Sequence, residues 1–115
     1  MIVDIESPCM RKLTVVVPTL NEEDSIDGCL DSIGNDERVH VVVSDGGSRD
    51  ATLQKAHTRG ATVVSGTAGR GGQLNRGAAA TDSELLLFLH SDCRLPRGWY
   101  LTAVTARRAS SAVFT

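Results

Sequence analysis

Four short apolar runs constrain this chain more than any other feature: Leu13 to Val17, Val39 to Val43, Ala61 to Val64 and Glu84 to Leu89. Each is rich in leucine or β-branched residues and is followed by turn residues, which is the pattern of a strand. Their interiors are nearly continuous in hydrophobicity. A strand with one wetted face would alternate, so these runs read as strands covered on both sides, the signature of a parallel sheet between helix layers.

The intervals supply the helices. In Glu22 to Ile33, the residues Ile26, Cys29, Leu30 and Ile33 recur at i, i+3, i+4 and i+7, with Asn21 as the expected N-cap and Gly34 as the stop. Asp50 to Arg59 follows Ser48, has Leu53 and Ala56 for an inner face, and ends at Gly60, where a left-handed cap is sterically easy. Gly72 to Ala80 is rich in glycine and alanine, so it is expected to lie close on the sheet, with Gly77 at the contact. A fourth helix is expected from Arg97 or Gly98, after Pro96, toward Arg108. The order βαβαβαβα with short connections predicts an α/β fold of three layers, a mostly parallel sheet of about four strands with helices on both faces.

Length and composition bound the function classes. A single domain over residues 1–115 is expected, and 41% hydrophobic with 23% charged residues is ordinary globular composition. With 12 Lys+Arg against 14 Asp+Glu the net charge is −2, which gives no long-range attraction to polyanions; no nucleic acid is expected as the main partner. Two Phe, one Trp and one Tyr leave few rings to stack on single-stranded bases. The longest apolar stretch, Leu85 to Leu89, is far short of the roughly 20 residues of a membrane span, and MIVDIESPCMRK does not read as a signal peptide. Cys9, Cys29 and Cys93 are odd in number and show no C-x-x-C spacing, which suits reduced thiols and a cytoplasmic location.

In an open parallel sheet the loops leaving the carboxyl ends of the strands share one edge, and ligands bind there. Every polar cluster falls on that edge: Pro18-Thr19-Leu20-Asn21-Glu22, Ser44-Asp45-Gly46-Gly47-Ser48, Ser65 through Gln73, and His90-Ser91-Asp92. Turn chemistry explains each singly but does not require acids, amides and an arginine together. Gly69-Arg70-Gly71-Gly72-Gln73-Leu74 lacks the last glycine of G-x-G-x-x-G, follows the third strand rather than the first, and contains no GK[ST]. Neither dinucleotide binding nor a Walker loop is supported, and a nucleotide site of another type remains.

The segments VVVPTLNEEDSI, SDGGSRDAT, GRGGQLNRGAAA and LLFLHSDCRLP, in this order and spacing, resemble the family 2 glycosyltransferases, which have the nucleotide-diphosphosugar transferase fold called GT-A. The likeness spans about residues 13–98 and looks nearest to bacterial members related to arsenosugar biosynthesis. It implies transfer of a sugar from a nucleotide-diphosphosugar to an acceptor hydroxyl, with inversion. It further implies that Pro18, Thr19, Asn21 and Glu22 wall the nucleoside pocket and that Asp45, in its turn with Gly47 and Ser48, accepts a hydrogen bond from the base or ribose. An ionised carboxylate is an acceptor only and suits a uracil-type imide, so a UDP-sugar is the favoured donor. Arg70 would offer a planar fork to the diphosphate, with Gln73 and Asn75 bonding the nucleotide or orienting the loop. Bland readings stay open beside these: Asp45 and Ser48 as turn and helix cap, Glu22 as a first-turn acid, Arg70 as a solvated side chain.

His90-Ser91-Asp92 stands where the family has its D-x-D metal motif, and only Asp92 matches the carboxylate. Mg²⁺ or Mn²⁺ is the expected cofactor, since diphosphate oxygens and water supply most ligands of a hard cation. His90 is open to three roles: a ligand to Mn²⁺, a bond to the diphosphate, or a structural histidine at a strand end. Gly46 replaces an acid common in the family's turn, and Cys93, with no base in view, reads as an ordinary thiol.

In the family the acceptor-side base lies beyond the D-x-D strand, and no Asp or Glu follows Asp92. The chain therefore reads as a truncated, donor-binding half with an unknown catalytic base and an unknown acceptor. It is either an enzyme completed by oligomerisation or a nucleotide-binding fragment without turnover. An uncovered sheet edge favours self-association. Sedimentation at micromolar concentration should find a homo-oligomer, and a monomer there would remove that expectation.

Overall fold

The computed structural model describes residues 13–106. Strand and helix alternate throughout: β1 (Leu13–Thr19), α1 (Ile26–Ile33), β2 (Val39–Asp45), α2 (Thr52–Thr58), β3 (Thr62–Ser65), α3 (Arg70–Ala79), β4 (Leu85–Phe88) and α4 (Trp99–Ala106). The strands form one parallel sheet in the order β3-β2-β1-β4. The expected α/β architecture is therefore present. The readings made for residues 1–12, including Cys9, and for any extension of α4 past Ala106 fall outside the described residues.

The continuous hydrophobicity of the strands has a direct cause in the layering. Leu13, Val15 and Val17 of β1, Val39 and Val43 of β2, and Leu85 and Leu87 of β4 form one buried cluster with Ile26, Cys29, Leu30 and Ile33 of α1, Ala56 of α2, and Trp99 and Ala103 of α4. The alternate residues of β1 face the other layer. Val16 and Ser44 lie under Gly77 of α3, where a Cβ would collide with the Val16 Cγ1 methyl. Thr14 is buried there too, and its hydroxyl pairs with those of Thr81 at 2.8 Å and Ser83 at 2.6 Å. A hydroxyl taken out of water needs such a partner. Helices thus cover both faces, and the glycine predicted to allow the close approach of α3 does so.

Helix ends behave as their residues dictate. Gly34 and Gly60 take left-handed φ values of 86° and 81°, and the Ala61 amide reaches back to the Ala56 carbonyl at 3.1 Å to close α2. Helix starts differ from the sequence expectation. α1 begins at Ile26, not Glu22, and Asn21 is not its N-cap. The backbone turns at Asn21 (φ 54°), and the amides of Asn21, Glu22 and Glu23 donate sideways to Ser48 Oγ, Thr52 Oγ1 and Asp50 Oδ2 at 2.8, 2.8 and 3.2 Å. Similarly, α2 starts at Thr52, and the Asp50 carboxylate rather than the Ser48 hydroxyl takes the Thr52 amide, at 2.9 Å. α4 is strapped to α1 by the Trp99 indole N–H on the Ile33 carbonyl at 3.0 Å and by the Leu95 amide on Ser32 Oγ at 2.9 Å. Among the described residues no helix is long and apolar enough to cross a membrane.

Two glycines of α3 should respond oppositely to a side chain. At Gly77 the space is filled by Val16, and Gly77→Val is expected to cost about 2–3 kcal/mol through overpacking. At Gly71 a Cβ meets nothing within 4 Å, and Gly71→Ala should stabilise by up to about 1 kcal/mol through helix propensity. Urea unfolding of the two variants checks both signs.

Candidate functional site

The strand order fixes where the site lies. From β1 the chain winds outward through β2 and β3, then returns to lay β4 on the other side of β1. Loops from the adjacent carboxyl ends of β1 and β4 therefore meet the first turn of α3, which belongs to the opposite layer, around a crevice at one edge of the sheet. A cleft of about 290 Å³ occupies it, lined by Pro18, Thr19, Leu20, Glu22, Arg70, Gln73, His90, Ser91 and Asp92. Of the residues expected from sequence, Pro18, Thr19, Glu22, Arg70, Gln73, His90 and Asp92 meet here. Asn21, Asp45, Gly47, Ser48 and Asn75 are not in its wall. Leu20 and Ser91 belong to the wall but were not singled out; the available signal was their place inside the two loop motifs, and Leu20 is an unusual large apolar residue left 43% exposed.

The loop after β2 lies behind the cleft because its polar groups are used on the protein itself. Asp45 is fully buried. Its Oδ1 accepts from the Thr19 hydroxyl at 2.7 Å and the Ser48 hydroxyl at 2.6 Å. Its Oδ2 accepts from the Gly47 and Ser48 amides at 2.8 and 2.7 Å. Burial pushes the carboxyl's pKa up, but the bonds from Ser48, Thr19 and Gly47 outweigh it and hold the group below the usual carboxylate range. The neighbouring loop is sewn on by reciprocal bonds. Asn21 Oδ1 accepts from the Arg49 amide at 2.8 Å, Glu23 Oε2 from the Ala51 amide at 3.1 Å, and the Lys55 ammonium donates to the Glu23 carbonyl at 2.7 Å. These contacts are those of a turn at Asp45, whereas Ser48 is not the cap of α2: its hydroxyl joins Asp45 Oδ1 and the Asn21 amide. Asn75 projects from α3 as an exposed residue.

Groups facing the cleft are less committed. Arg70 is exposed and has no hydrogen-bond or ion-pair partner among the described residues. Asp92 is exposed beside the Cys93 thiol, with Sγ 3.6 Å from Oδ1. Glu22 accepts from the Ser25 hydroxyl at 3.1 Å through Oε2. His90 is half-buried, and its carbonyl accepts from the Cys93 amide at 3.0 Å and from the Cys29 thiol at 3.6 Å. Burial, then the nearby Cys93 and Asp92, push the Cys29 thiol up to about 12. The Cys93 thiol is raised as well, by burial and by its bond to Asp92, so neither sulfur is an activated nucleophile. Among the described residues no group of three or more His, Cys, Asp or Glu side chains could enclose a metal. Asp92 could hold a hard cation only with ligand oxygens and water completing its shell, which is an ordinary arrangement for Mg²⁺ or Mn²⁺.

A larger hollow of about 730 Å³ lies at the opposite end of the sheet, near Val39, Arg59 and Ala61. Arg59 is already paired with Asp27 and Asp31, so size there is not matched by uncommitted chemistry.

Residues 14–112 match the model of glycosyl transferase family 2. The chain belongs to that family. Among its curated relatives, the glucosyl-3-phosphoglycerate synthase of Mycobacterium tuberculosis is 38% identical in a 94-residue alignment that covers 71% of this chain and 29% of the synthase. A crystal structure of that synthase in complex with Mn²⁺, UDP and glucosyl-3-phosphoglycerate matches with a TM-score of 0.72 at 32% identity, covering 88% of this chain and 40% of that one. S. aureus TarS matches with a TM-score of 0.74 at 28% identity, covering 85% of this chain and 20% of TarS. This family 2 chain thus spans about 29–31% of the length of the curated relatives it matches, and its α/β fold is that of the GT-A glycosyltransferases.

Asp45 gives this subsection its test. Because the folded-state pKa is lowered, its stabilisation is fully present above the unfolded value of about 3.9 and is lost as pH falls through the lower folded value. Asp45→Asn would face an amide N–H₂ toward donors and should cost about 2–3 kcal/mol at neutral pH. In urea titrations across pH, that deficit should begin to shrink below about pH 4, where the unfolded chain's carboxylate takes up a proton while the native one, held lower, does not yet.

Proposed function

We propose that this chain binds a nucleotide-diphosphosugar, with a UDP-sugar as donor, and serves as the donor-binding part of a glycosyltransferase that moves the sugar to an acceptor hydroxyl with inversion. The observation that carries this reading is the presence of an uncommitted arginine, Arg70, and an open carboxylate, Asp92, in the wall of one cleft at the carboxyl ends of β1 and β4. Arg70 presents a planar fork suited to diphosphate oxygens. Asp92 would repel the same diphosphate unless a cation stood between them. Asp92, with His90 beside it, is therefore assigned to hold Mg²⁺ or Mn²⁺, which when bound supplies positive charge to the departing diphosphate. The synthase relative's crystal structure with Mn²⁺ and UDP supports this assignment.

Pro18 and Leu20 offer the apolar wall for a nucleobase, and Thr19 lies between them. Asp45 would reach a base directly only by releasing Thr19 or Ser48, so we assign it to shaping the pocket from behind. Asn21, Gly47 and Ser48 share that role. The group that deprotonates the acceptor is assigned to none of the described residues.

Calorimetric titration with UDP, with and without Mn²⁺, tests the reading. Binding should strengthen with the metal. Arg70→Ala should weaken it by roughly tenfold, about 1.4 kcal/mol, and Asp92→Ala should abolish the metal dependence. A folded chain that binds UDP in neither condition would overturn the proposal.

A further inference from the structure

The first turn of α3 presents Arg70 to the cleft but has no packing of its own. Arg70 opens the helix and is followed by Gly71 and Gly72, at neither of which a Cβ would meet anything within 4 Å. The capping residue Gly69, at φ 147°, contributes no side-chain bond. Glycine is the least favourable helical residue after proline, so this turn needs order from elsewhere.

One buried side chain supplies it. Gln73 is 6% exposed, and its Nε2 donates to the Thr19 and Ser44 carbonyls, each at 2.9 Å. Its Oε1 accepts from the Gly69 amide at 3.0 Å. Its backbone joins the same parts: its N–H donates to the Gly69 carbonyl at 2.8 Å, and its carbonyl accepts from the Ser44 hydroxyl at 2.5 Å. Two carbonyls and one amide converging on one side chain call for two donors and one acceptor, which a carboxamide has and a carboxylate lacks. The same carboxamide accounts for Gly46, where a Cβ would stand 2.9 Å from Gln73 Oε1 and 3.0 Å from the Ala68 Cα.

We infer that Gln73 is a positioning residue of the donor site: its carboxamide ties Gly69 and Arg70 to the carboxyl ends of β1 and β2, so that Arg70 meets the diphosphate already oriented, and it keeps position 46 as glycine. The inference rests on reading the cleft as a diphosphate site. Its energetic logic is preorganisation, since an arginine on an ordered turn loses less freedom when the ligand arrives.

Two measurements test it, one of them free of ligand. In Gln73→Met, which keeps the bulk and removes the bonds, exchange of the Gly69 amide should accelerate at least tenfold, roughly, while the amides of Val15 and Val17 in β1 stay protected. Unchanged Gly69 protection would overturn the inference whether or not the chain binds nucleotide. In UDP titrations, Gln73→Met alone should weaken binding by about five- to tenfold, and should cost nothing further in the Arg70→Ala background. Equal losses in both backgrounds would overturn the action through Arg70. If Gln73→Met fails to fold, Gly46→Ala displaces the carboxamide from its other side and should give the same faster Gly69 exchange and the same Arg70-dependent loss. A wild-type chain that binds no UDP would sink the donor reading, while the exchange result would still decide whether Gln73 orders the turn.

Discussion

Parallel pairing of β1 with both β2 and β4 is the constraint from which the remaining structure follows. It brings the carboxyl ends of all strands to one edge, where the ladders stop and the last carbonyls still need donors. The Thr19 carbonyl takes the Gly46 amide at 2.9 Å as well as the Gln73 carboxamide. The Ser44 carbonyl takes the other Gln73 donor. The Asp45 carbonyl takes the Gly66 amide at 3.0 Å and lies 3.4 Å from the Arg76 guanidinium. The polar loops at this edge are therefore required by the sheet before any ligand is considered.

That requirement divides the polar residues into two sets. Asp45, Ser48 and Asn21 point their hydrogen-bonding atoms into the joint between the first two loops, and for the buried Asp45 carboxylate an unpaired charge there would be costly. Arg70 and Asp92 stand at the cleft, opposite in charge and exposed. A site assembled this way has a hydrogen-bonded back wall and a front with uncommitted charge, the arrangement on which the proposed binding of a diphosphate rests. Gln73 spans the two sets, since it lines the cleft while its carboxamide is bonded to the back wall.

Local patterns carried the fold far. Apolar runs gave the strands and the double coverage of β1, though the edge strand β3 leaves Thr62 and Ser65 exposed, and glycines at 34 and 60 marked helix ends by a steric rule that acts within one residue. The helix starts depart from the local pattern for a physical reason: the amides of Asn21 and Glu22 are claimed by Ser48 and Thr52, partners 27 and 30 residues away. No window along the chain contains both partners. The four family motifs were equally legible, but their residues could not be sorted into wall and support, because Asp45 as ligand and Asp45 as turn holder use the same atoms and the same neighbours in sequence.

What the sequence by itself determined is the kind of architecture and its family: near-continuous apolar runs such as that of β1 belong to a parallel sheet between helix layers, and the loop motifs follow in the family's order. What only the tertiary structure decided is which of those loops line the cleft. The choice depends on β4 returning to the far side of β1 rather than extending the sheet past β3. That order opens the crevice between the first and fourth loops and leaves the second behind it, and it arises from packing helices against both sheet faces, an interaction between segments that no single stretch of sequence encodes.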